Sequence, residues 1–182
     1  MKYNTILILA VLLGFFVVIF ASPWDLENTN PKGFKDLDGK VVDFDRYKKK
    51  YSILVFTFMS CPSICPMTNQ ELARVKNKYK DNVNIVSINV DPKKDTPSKL
   101  KEYMQSNNYD WDILIADKKS IKDLMENILH YDRADQYLES PAYHPPGLHL
   151  MDKNFKYMDK NFFPIPQDVD DLIDELNRLL EE

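Results

Sequence analysis

Residues Tyr51–Pro66 read YSILVFTFMSCPSICP, and this stretch decides the fold. Its first eight residues are β-branched, aliphatic or aromatic and carry no charge, the composition of a strand buried on both faces. Cys61 and Cys65 follow at once, and Pro66 opens a helical pattern through Tyr79 whose apolar positions are Met67, Leu72 and Val75. Proline is favoured in a first helical turn. The cysteines thus stand where a buried strand runs into a helix N-terminus. Backbone N–H groups and the helix dipole there favour a thiolate over a thiol.

Working outward, the same alternation continues. On the N-terminal side, Phe34–Phe44 carries Asp38-Gly39 between two short apolar stretches, a hairpin signal. On the C-terminal side, Val83–Val90 alternates as a strand and stops at Asp91-Pro92. A helix follows to about Gln105, with Thr96 as its N-cap and Pro97 at its first position. Trp111–Ile115 reads as a short strand, Lys119–Leu129 as a helix, and Leu148–Met151 as a strand leading into a turn at Asp152–Asn154. Asp168–Leu180 is amphipathic, with Val169, Leu172, Ile173, Leu176 and Leu179 on one stripe. Strands alternating with helices predict an α/β domain around a central sheet.

The expected organisation is an anchor over residues 1–22, a tether over 23–33 and one domain over 34–182. Lys2 precedes an uncharged run from Ile6 to Ala21, ILILAVLLGFFVVIFA. Sixteen residues is short of the ~20 that span a typical bilayer and suits a signal-peptide core. Cleavage after Ala21 or Ser22 would place Ile19 or Phe20 where a small residue is wanted and leave Pro23 near the new terminus. The reading is therefore an uncleaved signal-anchor, with a cleaved signal peptide as the alternative. No cysteine follows the run, which argues against a lipid-modified cysteine. The domain is expected on the extracytoplasmic (periplasmic) side of the cell membrane, in an oxidising compartment.

Composition closes off several classes. The net charge of −4 among 182 residues, with both signs interspersed, leaves no basic stripe for nucleic acid. Four glycines and no GxGxxG or GxxxxGK[ST] pattern exclude a nucleotide cradle. There are two cysteines, and a disulfide across so short a loop would restrain the unfolded chain little. Their purpose is chemistry rather than stapling.

Two soft thiolates four residues apart can share Cu(I) or Zn, and an added imidazole also accommodates Cu(II). The third ligand lies among three histidines. His130 follows a helix and reads as a helix-end or surface residue. His144 stands in the loop Tyr143-His144-Pro145-Pro146, and His149 lies within a strand; spacing leaves both open. Met59 and Met67 flank the cysteines, where methionine is more often core filler than a ligand. The rival reading is a reversible Cys61–Cys65 disulfide, although thioredoxin-type oxidoreductases carry CxxC and this chain has CxxxC. No arginine stands near the cysteines in the sequence to favour a peroxidase.

Three motifs together resemble the SCO/SenC family of copper chaperones for cytochrome c oxidase assembly. The first is Cys61-Pro62-Ser63-Ile64-Cys65-Pro66 behind its strand, similar to the family's CPxxCP. The second is Val90-Asp91-Pro92 followed by Asp95-Thr96-Pro97, similar to VDPxxDTP. The third is His144, five residues before the strand that begins at about His149. The resemblance covers Phe34 to the C-terminus. It departs at Ser63, where the family often has Asp, and at Pro145-Pro146-Gly147, where Ser or Thr commonly follows the histidine. It implies a thioredoxin-like fold, a copper ion, Cu(I) or Cu(II), bound by Cys61, Cys65 and His144, and delivery to a copper-receiving oxidase subunit or other exported copper protein. Maintenance of that protein's thiols in reduced form is the alternative. A site that hands on its ion is expected to be exposed.

Overall fold

The computed structural model describes residues 30–62 and 64–181; the expected anchor and most of the tether lie outside them. The run at 51–57 forms β1 (Tyr51–Thr57), and every residue of it is buried. It lies at the centre of a five-stranded sheet with β2 (Val83–Asn89), β3 (Asp112–Ile115), β4 (Leu148–Met151) and β5 (Tyr157–Phe162), in the order β3-β2-β1-β4-β5. The β1–β2 and β2–β3 pairs are parallel, whereas β1–β4 and β4–β5 are antiparallel. Parallel neighbours need long crossovers. Helix α1 (Ile64–Tyr79) supplies the first and α2 (Pro97–Ser106) the second.

Both faces of β1 are covered because its side chains alternate. Ile53 and Val55 pack with Leu72 and Val75 of α1 and with Val169, Leu172 and Leu176 of α5 (Pro166–Glu181). Leu54 and Phe56 face the other way, toward Ile121, Leu124 and Met125 of α3 (Lys118–Asn127). The α/β architecture expected from the sequence is therefore present, a mixed sheet between helical layers.

Local chemistry sets the element ends. The Asp38-Gly39 turn closes a small hairpin in which Lys35 bridges Val41, and Lys35 also bridges Ile115 and so covers the outer edge of β3. Thr96 caps α2 by accepting the Lys99 amide N–H, and Pro97 stands in its first turn. That bond is long, 3.5 Å. Thr96→Ala is accordingly expected to lower the unfolding free energy by about 0.5–1 kcal/mol, the low end for a lost cap, as read from the urea midpoint at unchanged slope.

Four features differ from the sequence reading. Helix α1 begins at Ile64 and so takes Cys65 into its first turn. Strand β5 was not expected, because YMDKNF is a half-exposed edge with a register shift opposite His149–Met151 and Asp159 at φ 52°. Such irregularity blunts an otherwise open edge. A short helix, α4 (Asp135–Leu138), and a single 3₁₀ turn (Pro141–Tyr143) shape the approach to His144. At the N-terminal side, Asn30, in the stretch expected to be tether, already accepts the Phe44 N–H and so is fastened to the domain. Among the described residues no helix is long and apolar enough to cross a membrane.

Candidate metal centre

Cys61 and Cys65 converge at the C-terminal end of β1, where they pack with Phe58, Ile64 and Val90. They are thiols rather than a disulfide. The first amides of a helix lack intrahelical acceptors. One of them, Cys65 N–H, donates to Cys61 Sγ at 3.3 Å. The i, i+4 spacing thus makes Cys61 the sulfur that receives a free helical donor, which favours its thiolate.

The second sulfur is in a different environment. Burial pushes the Cys65 thiol up to about 12. The Phe58 amide and the Thr57 hydroxyl pull it down, while neighbouring Cys61 pushes it up again. Burial thus favours the protonated thiol at Cys65, and a soft cation bound there must displace that proton. Thr57, the last residue of β1, carries no motif signal in the sequence; its role follows only from the strand ending beside Cys65.

The exposure expected of an exchange site is not found at the sulfurs. Cys61 is 8% and Cys65 5% exposed. What faces solvent around them is Met59, at 37% exposed, together with Pro62 and Pro66. Close packing behind the strand end, with Phe58 folded over the pair, accounts for the difference. Met67 is partly buried in α1.

His144 stands on the same side of the molecule, its ring edge-on to Phe58 with 5.6 Å between ring centroids. Its Nδ1 lies 3.0 Å from the Pro145 carbonyl oxygen. A carbonyl can only accept, so Nδ1 carries the proton and Nε2 keeps the lone pair, the arrangement of a metal-ligating imidazole. Burial lowers its pKa below the usual histidine value, which favours the neutral form. The loop is pinned from β5, where Asn161 Nδ2 donates to the Pro146 carbonyl. Gly147 is required there, because it adopts φ +114° and any Cβ would meet the Asn161 side chain. Beside His144 lies an open depression of about 660 Å³ lined by Ile64, Gln136, Tyr137, Glu139, Tyr143 and Pro146.

The structure brings the two cysteines together and sets His144 against their covering Phe58. Among the described residues no three His, Cys, Asp or Glu side chains already stand grouped for a metal ion. The other histidines lie elsewhere. His130 is an exposed residue paired with Asp159 at 3.4 Å. His149 is fully buried in β4, with Nδ1–H donating to the Leu54 carbonyl at 3.1 Å and Nε2 facing the Tyr131 hydroxyl at 2.8 Å. Both of its nitrogens are engaged, so His149 is a core residue.

Comparison with known proteins identifies the family and the fold. The model of the SCO1/SenC family matches residues 29–181. An SCO2-like protein of Rickettsia conorii is 33% identical over 135 residues, 70% of this chain and 65% of its own length. The chain therefore spans slightly less than two-thirds of that relative. A Bacillus subtilis SCO1 homologue is 28% identical over 141 residues, 68% of this chain and 72% of its own length. Among solved structures, a SCO1/SenC family lipoprotein from Bacillus anthracis superposes with TM-score 0.66 at 25% identity, covering 81% of this chain and 92% of that one. The copper-bound ScoI of Arabidopsis thaliana gives 0.63 at 25%, covering 84% and 98%. The fold is that of the Sco thioredoxin-like structures. On the family model and the shared architecture together, this chain belongs to the SCO1/SenC family.

Proposed function

We propose that this protein is a membrane-anchored, extracytoplasmic copper chaperone that holds one copper ion through Cys61, Cys65 and His144. The ion passes by ligand exchange to the binuclear copper centre of an oxidase subunit or to another exported copper protein. The observation that carries this reading is the junction of β1 and α1, where Cys61 Sγ receives the Cys65 amide beside a second sulfur. Two thiolates favour Cu(I), and the neutral His144 with Nε2 available adds the donor that Cu(II) needs. Copper here is cargo, so the ligands must both assemble and part. Phe58 packs with both cysteines and meets the His144 ring edge-on, and movement of the His144 loop around that ring completes the ligand set. Two of the three ligands bind with loss of a proton, so affinity falls as pH falls. The anchor is residues 1–22, the tether is the stretch from residue 23 up to Asn30, which is fastened to the domain, and the remainder is the cargo-binding domain.

A second reading, a thiol–disulfide oxidoreductase acting on an exported copper protein, is favoured by one observation: the dithiol is already assembled while the third ligand is not. Both readings need the cysteines, and only the first needs His144. His144→Ala is expected to weaken Cu(II) binding by about 100-fold or more, since even outer partners of metal ligands cost 10–100-fold. The thiolate-to-Cu(II) charge-transfer bands should disappear while the dithiol still reduces a disulfide substrate. Copper stoichiometry and visible spectra of the full chain in detergent, loaded anaerobically, read the difference. Unchanged bands in the variant would remove His144 from the site. Absence of any copper in wild type, with rapid Cys61–Cys65 oxidation instead, would favour the oxidoreductase.

A further inference from the structure

The backbone that presents Cys61 is held from the neighbouring crossover by a carboxylate. Asp95 is only 3% exposed. A single oxygen of it, Oδ2, accepts the Met59 amide N–H at 2.8 Å and the Asn89 side-chain amide at 2.8 Å. Asn89, itself fully buried at the end of β2, accepts the Asp91 N–H at 3.1 Å through its own oxygen. Asp95 N–H in turn donates to the Asp91 carbonyl at 2.9 Å, and Val90 N–H to the Thr57 carbonyl at 3.0 Å. The turn between β2 and α2 is thus braced internally and fastened to the end of β1. Met59 stands two residues before Cys61, and Phe58, the residue before it, packs with both cysteines.

From this geometry we infer that Asp95 is a positioning residue, which fixes the Phe58–Met59 backbone so that Cys61 Sγ lies within reach of the Cys65 amide and sulfur. Its action is through the place of its oxygen and not through its charge. Both bonds end on one oxygen, so an asparagine whose carbonyl takes that place keeps both. A glutamate keeps the charge but moves the oxygen by a methylene. The role deepens the copper reading, because the pair it aligns is the proposed ligand pair, yet it is measurable without copper.

The test equilibrates the metal-free full chain, in detergent, with oxidised and reduced glutathione. Protein dithiol and one oxidised glutathione give the Cys61–Cys65 disulfide and two reduced glutathiones, with two electrons and two protons passing to the glutathione sulfurs. The equilibrium constant, read by thiol alkylation and mass, is the effective concentration of one protein sulfur at the other. Asp95→Ala and Asp95→Glu are expected to lower it about tenfold, equivalent to about 30 mV for a two-electron couple. Asp95→Asn should stay within about twofold of wild type. Should the alanine variant fail to fold, the glutamate and asparagine variants carry the comparison by themselves. Wild-type equilibrium in the glutamate variant, or a tenfold loss in the asparagine variant, would overturn the inference. Loss of copper binding by wild type with this variant pattern intact would sink the copper reading and leave Asp95 in its role.

Discussion

Replacing either Cys61 or Cys65 by alanine will abolish stoichiometric copper binding. Four-ligand structural zinc sites are worth about 10–16 kcal/mol. One ligand then accounts for roughly 2.5–4 kcal/mol, or about 10²–10³ in affinity. In a three-ligand site the loss of a thiolate leaves one sulfur and one imidazole, too few to hold Cu(I) against water and buffer. The two variants should differ in kind. Cys61→Ala removes the acceptor of the Cys65 amide and relieves Cys65 of the neighbouring sulfur that helps push its proton affinity up to about 12. Cys65→Ala removes the second sulfur and leaves the residue-65 amide to donate to Cys61. Metal analysis after gel filtration of the reconstituted chain is the check. One copper per chain in either variant would end the proposed site.

The second large effect is on stability in acid, and it comes from His149. The residue is fully buried, among the rings of Phe56, Tyr131 and Tyr157. Burial lowers its pKa from the ordinary 6.5 to about 4, while the Leu54 carbonyl opposes the shift. The unfolded chain therefore binds this proton between pH 6.5 and about 4, and the folded chain does not. Stability is full above pH 6.5, falls as the pH drops through that window, and levels off below about 4. The loss integrates to about 3 kcal/mol. Urea unfolding at intervals between pH 7 and 4 should show this slope in wild type. It should be largely absent in His149→Gln, whatever the variant's stability at neutral pH. An equal slope in both would show that the carboxylates, and not His149, govern acid unfolding.

For a protein proposed to work outside the cytoplasm this dependence matters. The same acidification that disfavours metal binding by the proposed ligands also removes the stability contributed by a neutral His149 in β4, the strand that follows the His144 loop. The two effects are separable, because His149 touches neither cysteine in the contacts it makes and is anchored instead to Leu54 and Tyr131.

Much of this molecule was legible in its residues. An uncharged run of seven or eight residues rich in β-branched and aromatic side chains reads as a strand covered on both faces, and β1 is that strand at the sheet centre. Thr96-Pro97 opens a helix because a hydroxyl cap and a fixed φ act over a few residues, and the Asp38-Gly39 turn is equally local. CPxxCP with VDPxxDTP was enough to point to the family, and the cysteine pair to soft-metal or redox chemistry. What only the tertiary structure decided depends on segments far apart in the chain. Strand β5 has too little apolar character to announce itself and exists because β4 offers it an edge. The resemblance already favoured His144 over His149, whereas which imidazole nitrogens are engaged is set by the fold: both in His149, by Leu54 and Tyr131, but one in His144. The burial of both sulfurs and the Asp95 clasp on Met59 likewise follow from packing across the β1 and β2 ends. Sequence determines what is set by neighbours along the chain; burial, and with it proton affinity and ligand availability, is set by neighbours in space.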